Sequence, residues 1–257
     1  MKGFDHASGE YLTINGANIY YEVMGETTAP VLLFLHGGFG HIENFNNMLA
    51  QIAGSYKIIG IDSRGQGKST LGSTPLTYEQ LQNDVEAILE YLNISQLTIM
   101  GFSDGGIIGY RLACLSHVKV TKLVTIGSRW HVNNAEPIKE ICSTFTTDSL
   151  NKSHPTFYQE YQQLNPDKNF DRLIKELIAM WLDQTSTGYP NHQIENISCP
   201  VLMMSGENDR VVLSKDVAEA AKIINNSQLV NIPAAGHAAF ADQLELVMEN
   251  LNHFLSN

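Results

Sequence analysis

The chain lacks most of what a stapled, metal-bound or membrane-spanning protein needs. Its three cysteines, Cys114, Cys142 and Cys199, lie far apart and form no Cys-x-x-Cys pair. That excludes a disulfide framework or a zinc knuckle as the organising element. No His-Glu-x-x-His run occurs, so the sequence offers no metal site. Positive charge is scarce: 16 Lys and Arg face 27 Asp and Glu, a formal charge of −11. Nucleic acid and acidic membrane surfaces are disfavoured as partners, because both require a basic footprint. Apolar runs are short, like the Val-Leu-Leu-Phe-Leu of residues 31–35, well below the ~20 residues of a spanning helix. The first twelve residues, MKGFDHASGEYL, contain no apolar signal-peptide core. The expectation is a soluble, cytoplasmic chain acting on a small molecule, with the oligomeric state left open.

What is present is a regular alternation. A length of 257 residues lies between one and two average domains, and open α/β sheets reach it as one unit. Residues 11–23 alternate around Asn15-Gly16-Ala17-Asn18 and predict a hairpin. Then come unalternating apolar runs at 31–35, 57–61, 97–100, 122–126 and 201–204, followed by the strand-like Leu-Val-Asn-Ile-Pro of 229–233. Such runs fit strands buried on both faces of a parallel sheet. Helical periodicity fills the gaps at 77–93 and at about 240–255. Residues 130–189 break the pattern, with helical segments at 136–145, 154–164 and 171–183 and no strand candidate. Sixty residues of helix between two sheet strands predict a cap over the strand ends, with residues 1–129 and 190–257 forming the core.

The most informative stretch is Gly101-Phe102-Ser103-Asp104-Gly105, between a strand and a helix. A turn this sharp leaves no room for side chains two residues before and after the serine, and it strains the serine backbone. Serine is a poor nucleophile without a base and an orienting acid. His237 in Ala-Ala-Gly-His and Asp209 in Gly-Glu-Asn-Asp supply them, each just past a strand, in the chain order Ser, Asp, His. Glu207 is the rival acid. His36-Gly37-Gly38-Phe39-Gly40 follows another strand, and the backbone N–H groups of Gly38 and Asp104 are the candidate oxyanion donors. His36 itself reads as a structural hydrogen-bonder.

These motifs, together with Asp62-Ser63-Arg64-Gly65-Gln66-Gly67-Lys68-Ser69, resemble the α/β-hydrolase superfamily over about residues 12–255. Within it, the chain is similar to the capped esterase, lactonase and C–C-bond hydrolase branch, and its Ser-Asp-Gly-Gly elbow resembles the biphenyl-hydrolase-like group. The resemblance implies an α/β fold with an eight-stranded, mostly parallel sheet flanked by helices and a helical cap after the sixth strand. It also implies a cofactor-free serine mechanism and a lid-lined acyl pocket. Relatives that open epoxides or haloalkanes carry aspartate where this chain has Ser103, which disfavours those reactions. The substrate expectation is a carboxylic ester, thioester or lactone. The alternatives are C–C cleavage of a diketone-like substrate and a ligand-binding signalling protein on the same fold.

Secondary candidates remain two-sided. Gly65-Gln66-Gly67-Lys68-Ser69-Thr70 ends like a phosphate-binding loop, but Asp62 stands where the pattern needs its first glycine; it reads better as a turn pinned by Asp62 and Arg64. Asp104 either complements the dipole of its helix or faces the pocket to bind a cationic substrate. Phe39, Trp130 and Trp181 are the candidate substrate-binding rings, with Phe157, Tyr158 and Tyr161 behind them; packing is the alternative for each.

Overall fold

A computed structural model describes residues 3–52, 56–132 and 136–256. Strands β1 (Glu10–Ile14) and β2 (Ala17–Met24) form the expected hairpin, with positive φ at both turn residues, Asn15 and Gly16. Asn-Gly is suited to such a turn because both central positions must enter the left-handed region. The sheet continues with β3 (Val31–Leu35), β4 (Lys57–Ile61), β5 (Gln96–Phe102), β6 (Lys119–Ile126), β7 (Val201–Gly206) and β8 (Ser227–Ile232). Its order is β1-β2-β4-β3-β5-β6-β7-β8, antiparallel up to β4 and parallel beyond. The chain leaves β3 for β4 on one side and crosses back to β5 on the other. The carboxyl ends of β3 and β5 are therefore a topological switch point, where open α/β sheets bind ligands.

Unalternating strands need cover on both faces, and both are covered. Leu33 and Leu35 pack with α2 (Tyr78–Tyr91), α3 (Asp104–Leu115) and α8 (Ser214–Ile223). Leu32 and Phe34, one residue out of phase, pack with α1 (Asn46–Ile52) and α10 (Leu244–Ser256). The helix expected over 240–255 is two pieces, α9 (Ala239–Asp242) and α10, separated at Gln243. Helix α3 begins at Asp104, directly on the turn that carries Ser103.

Between β6 and β7 the described residues contain no strand. They form α4 (Glu136–Cys142), α5 (Thr147–Ser153), α6 (Pro155–Leu164) and α7 (Phe170–Trp181); residues 133–135 of this expected cap lie outside the described residues. Helix α5 is a surprise to periodicity, because Leu150 is its one buried residue. Helix α7 buries Leu173, Ile174 and Leu177 in the same cluster as α2 and α3. The loop after β4 fastens the other side. Asn165 Nδ2 donates to the carbonyls of Gly65, Gly67 and Ser69 at 2.9–3.2 Å. The N–H groups of Leu71 and Leu76 donate to Asp167 and Glu176, each at 3.1 Å.

Candidate active site

Ser103 sits between β5 and α3 with φ 50° and ψ −117°. The strain is enforced by crowding rather than by the serine. A Cβ on Gly101 would lie 2.4 Å from the carbonyl oxygen of Gly105, and one on Gly105 would lie 1.9 Å from that of Leu35. Only glycine fits at either place. The Ser103 N–H donates to the Ile126 carbonyl at 2.9 Å, so its backbone is tied to the neighbouring strand.

Three distant side chains meet here. His237 Nε2 lies 3.0 Å from Ser103 Oγ, and His237 Nδ1 lies 2.8 Å from Asp209 Oδ2. The other Asp209 oxygen accepts the N–H groups of Val211 and Val212 at 2.8 and 2.9 Å. The Asp209 carboxylate is fully buried, whereas the imidazole is 24% exposed. Such an acceptor set fixes Nδ1 as the protonated nitrogen and leaves Nε2 able to take a proton from the hydroxyl. Glu207, the rival acid, is turned away: it is exposed and accepts the Ala234 N–H at 2.9 Å. Arg129 was not singled out by sequence. Its Nη2 donates to the Val211 carbonyl at 2.7 Å, tying the end of β6 to the turn that holds Asp209. An arginine three residues past a strand whose end borders the site was the available signal.

The Gly37-Gly38 turn presses against the serine, since a Cβ on Gly37 would lie 2.9 Å from Ser103 Cβ. Beneath it, His36 Nε2 accepts the Ser63 N–H at 2.9 Å, and Nδ1 donates to the Gly37 carbonyl at 2.8 Å. Burial pushes the His36 pKa down to about 4, so the ring is neutral and joins the loops after β3 and β4. The phosphate-loop look-alike is filled by the chain itself. Asp62 Oδ2 accepts the Lys68 N–H at 2.7 Å, and a Cβ on Gly67 would lie 2.1 Å from it. Arg64 grips Asp84 through Nε and Nη2 at 2.8 and 2.6 Å.

Phe39, Asp104 and Trp181 converge. Asp104 is buried; its Oδ1 accepts the Tyr78 hydroxyl at 2.7 Å, and Trp181 Nε1 lies 2.9 and 3.0 Å from its two oxygens. Burial raises its pKa, against the opposing pull of those hydrogen bonds. Phe39, with φ 60°, stands among Phe145, Phe157, Phe170 and Trp181 at centroid distances of 5.5–6.1 Å. Trp130 is engaged elsewhere. Its Nε1 donates to the Asp216 carbonyl at 3.0 Å, and its ring meets His131 and His192 edge-on. Tyr78, Phe145 and Phe170 escaped the sequence reading, because nothing local separates a site-facing ring from a core one. Among the described residues, no cluster of three or more His, Cys, Asp and Glu side chains is arranged to hold a metal, and no helix is long and apolar enough to cross a membrane.

The chain is similar to known hydrolases along most of its length. The bifunctional esterase/perhydrolase of Acinetobacter calcoaceticus is 24% identical over 96% of this chain and 99% of its own. The 3-oxoadipate enol-lactonase 2 of Acinetobacter baylyi is 22% identical over 94% and 97%. Among solved structures, a hydrolase from Pseudomonas aeruginosa superposes with a TM-score of 0.78 at 22% identity, covering 98% of this chain and all of that one. Residues 30–173 match the α/β hydrolase fold family, and they span the Gly37-Gly38 turn, Ser103 and most of the inserted helices. The chain belongs to the α/β hydrolase fold family.

Proposed function

We propose that the protein is a cofactor-free serine hydrolase of a small-molecule ester, thioester or lactone. The carrying observation is the pair of contacts at His237: 3.0 Å from Nε2 to Ser103 Oγ and 2.8 Å from Nδ1 to Asp209. Ser103 Oγ attacks the carbonyl carbon while its proton passes to His237 Nε2. The carbonyl oxygen becomes an oxyanion facing the N–H groups of Gly38 and Asp104, each contributing ~3 kcal/mol to lowering the barrier. The intermediate collapses, and His237 gives the proton to the departing alcohol or thiol. Water, deprotonated by His237, then attacks the acyl-serine, and the acid leaves with Ser103 protonated again. Asp209 holds the ring in the required tautomer and balances its charge.

Residues 130–189 act as the cap, and the rings of Phe39 and Trp181 line the acyl side of the pocket. The esterase and enol-lactonase relatives support this substrate range. Trp130 serves as packing at the seam. With both Asp104 oxygens occupied, we favour neutral substrates over ammonium ones. The test is a fluorophosphonate probe followed by peptide mapping, with p-nitrophenyl esters of graded chain length. Ser103 should carry the label, and an unlabelled Ser103 beside a labelled control hydrolase sinks the mechanism. A chain inert on every ester but active on a β-diketone would move the reaction to C–C cleavage by the same residues.

A further inference from the structure

Asp104 occupies an unusual place. It is the first residue of α3, so the peptide that carries a candidate oxyanion donor also carries a buried carboxylate. That carboxylate is buried where core helix α2 meets inserted helix α7. There it is shared between the Tyr78 hydroxyl at the start of α2 and the Trp181 indole at the end of α7. The tie is closed a second time, since the Tyr189 hydroxyl donates to the Trp181 carbonyl at 3.0 Å and its ring lies 5.0 Å from that of Tyr78.

The other candidate donor touches the same unit. A Cβ on Gly38 would lie 2.6 Å from Trp181 Cζ2 and 3.0 Å from Asp104 Oδ2. Gly38 thus has the indole and the carboxylate as its wall, and both donors are bordered by one indole–carboxylate pair. Hydrogen bonds to a charged carboxylate are stronger than neutral ones and hold geometry accordingly. An error of about 1 Å in a reacting group costs on the order of 100-fold in rate.

We propose that Asp104 is a positioning residue that couples the inserted helices to the oxyanion donors: with the Trp181 indole docked on its carboxylate, the N–H groups of Gly38 and Asp104 are aimed, and with the indole undocked they are not. This rests on the serine-hydrolase reading for the role of the donors, but the docking itself does not. The substrate is then held under a roof whose closure completes the site, and Asp104 links the two events.

The experiment uses the full chain in four variants, Trp181→Phe, Tyr78→Phe, Asp104→Asn and Asp104→Ala. Two readouts are followed: steady-state kinetics on neutral and amino-bearing esters, and the 19F spectrum of protein labelled with 5-fluorotryptophan. Two tryptophans give two resonances, and the one lost in Trp181→Phe is Trp181. The expected result is a fall in kcat of about 10–100-fold in Tyr78→Phe, whose ring has no part in the acyl pocket, with KM changed less than about threefold; Trp181→Phe should lose kcat by a similar factor, with KM moving as well because its ring lines the pocket. Asp104→Asn, which keeps an acceptor oxygen, should retain more activity than Asp104→Ala. Fluorophosphonate labelling of Ser103 should slow in parallel, and the Trp181 resonance should move in Asp104→Asn. A Trp181 resonance unmoved by Asp104→Asn overturns the proposal. So does a KM rise confined to amino esters, which would make Asp104 a cation site, or a lowered Tm with kcat intact, which would make it structural only. A wild-type chain that takes no fluorophosphonate refutes the hydrolase reading and the donor role with it. The 19F shift would still report whether the indole docks on Asp104.

Discussion

The two sides of the site are built by different means. On the sheet side, each residue of the proposed triad follows a strand end, and Ser103 is fixed there by its backbone. Gly105 has no space for a methyl group, and Ser103 is tied to β6 through its own N–H. On the insertion side, no strand pairing joins the described helices to the core. The hold is made mostly by side chains: the apolar face of α7, the Asn165 amide on three carbonyls, Asp167 and Glu176 on two N–H groups, and the Trp181 indole on Asp104, with one backbone bond from the Glu79 N–H to the Thr187 carbonyl at 2.9 Å. Side-chain bonds can be exchanged for bonds to water, whereas a strand end cannot be displaced without disturbing the sheet. If residues 130–189 are the proposed cap, it should detach while the proposed reaction centre stays rigid.

Four substitutions test that contrast. Ser103→Ala should lower turnover by on the order of 10⁴-fold or more while the fold survives; residual turnover near the wild-type rate would remove the sheet side from the chemistry. Gly105→Ala should be nearly as damaging by another route. Its new methyl meets backbone rather than a yielding side chain, so a loss of ~4 kcal/mol in urea unfolding is expected, and a loss under ~1 kcal/mol would show that the elbow is not held rigid.

His36 tests the same region through pH. Its pKa is about 4 in the folded state against the ordinary 6.5. The unfolded chain therefore binds the extra proton first, so neutral His36 supports the fold above pH 6.5. That support is lost as pH falls from 6.5 towards 4, a contribution of ~3 kcal/mol. Urea midpoints of wild type and His36→Asn should converge across that window, and parallel curves would remove His36 from the account. The smallest effect belongs to the cover. Asn165→Ala strips one donor from three carbonyls and should cost ~2 kcal/mol. Protease cuts between residues 143 and 168 should then appear before global unfolding. Uniform cutting along the chain would mean that the two sides come apart together.

The same division explains what the sequence made legible. Strands at 31–35 and 57–61 announce themselves because burial on both faces removes alternation, and Ser103, Asp209 and His237 each follow such a run. Gly101 and Gly105 are readable because a close backbone approach excludes every other residue. The seam is less readable. Tyr78 looks like one more apolar position on α2 until its hydroxyl is seen on Asp104, twenty-six residues away. Trp130 and Trp181 are alike as sequence, yet one spends its N–H on a carbonyl of α8 and the other on the elbow. Helix α5 has a cap at Thr146 but no apolar period, since a single residue is buried. Long-range side-chain pairing carries no local signature.

Phe39 carries a further consequence. Its peptide holds an angle that a bulky residue disfavours, and the four rings around it supply the counterweight. The bend is thus a spring loaded by its ceiling. Lineages that remodel that ceiling can release the tension by placing glycine at this spot, retuning what fits above the serine without rebuilding anything below it.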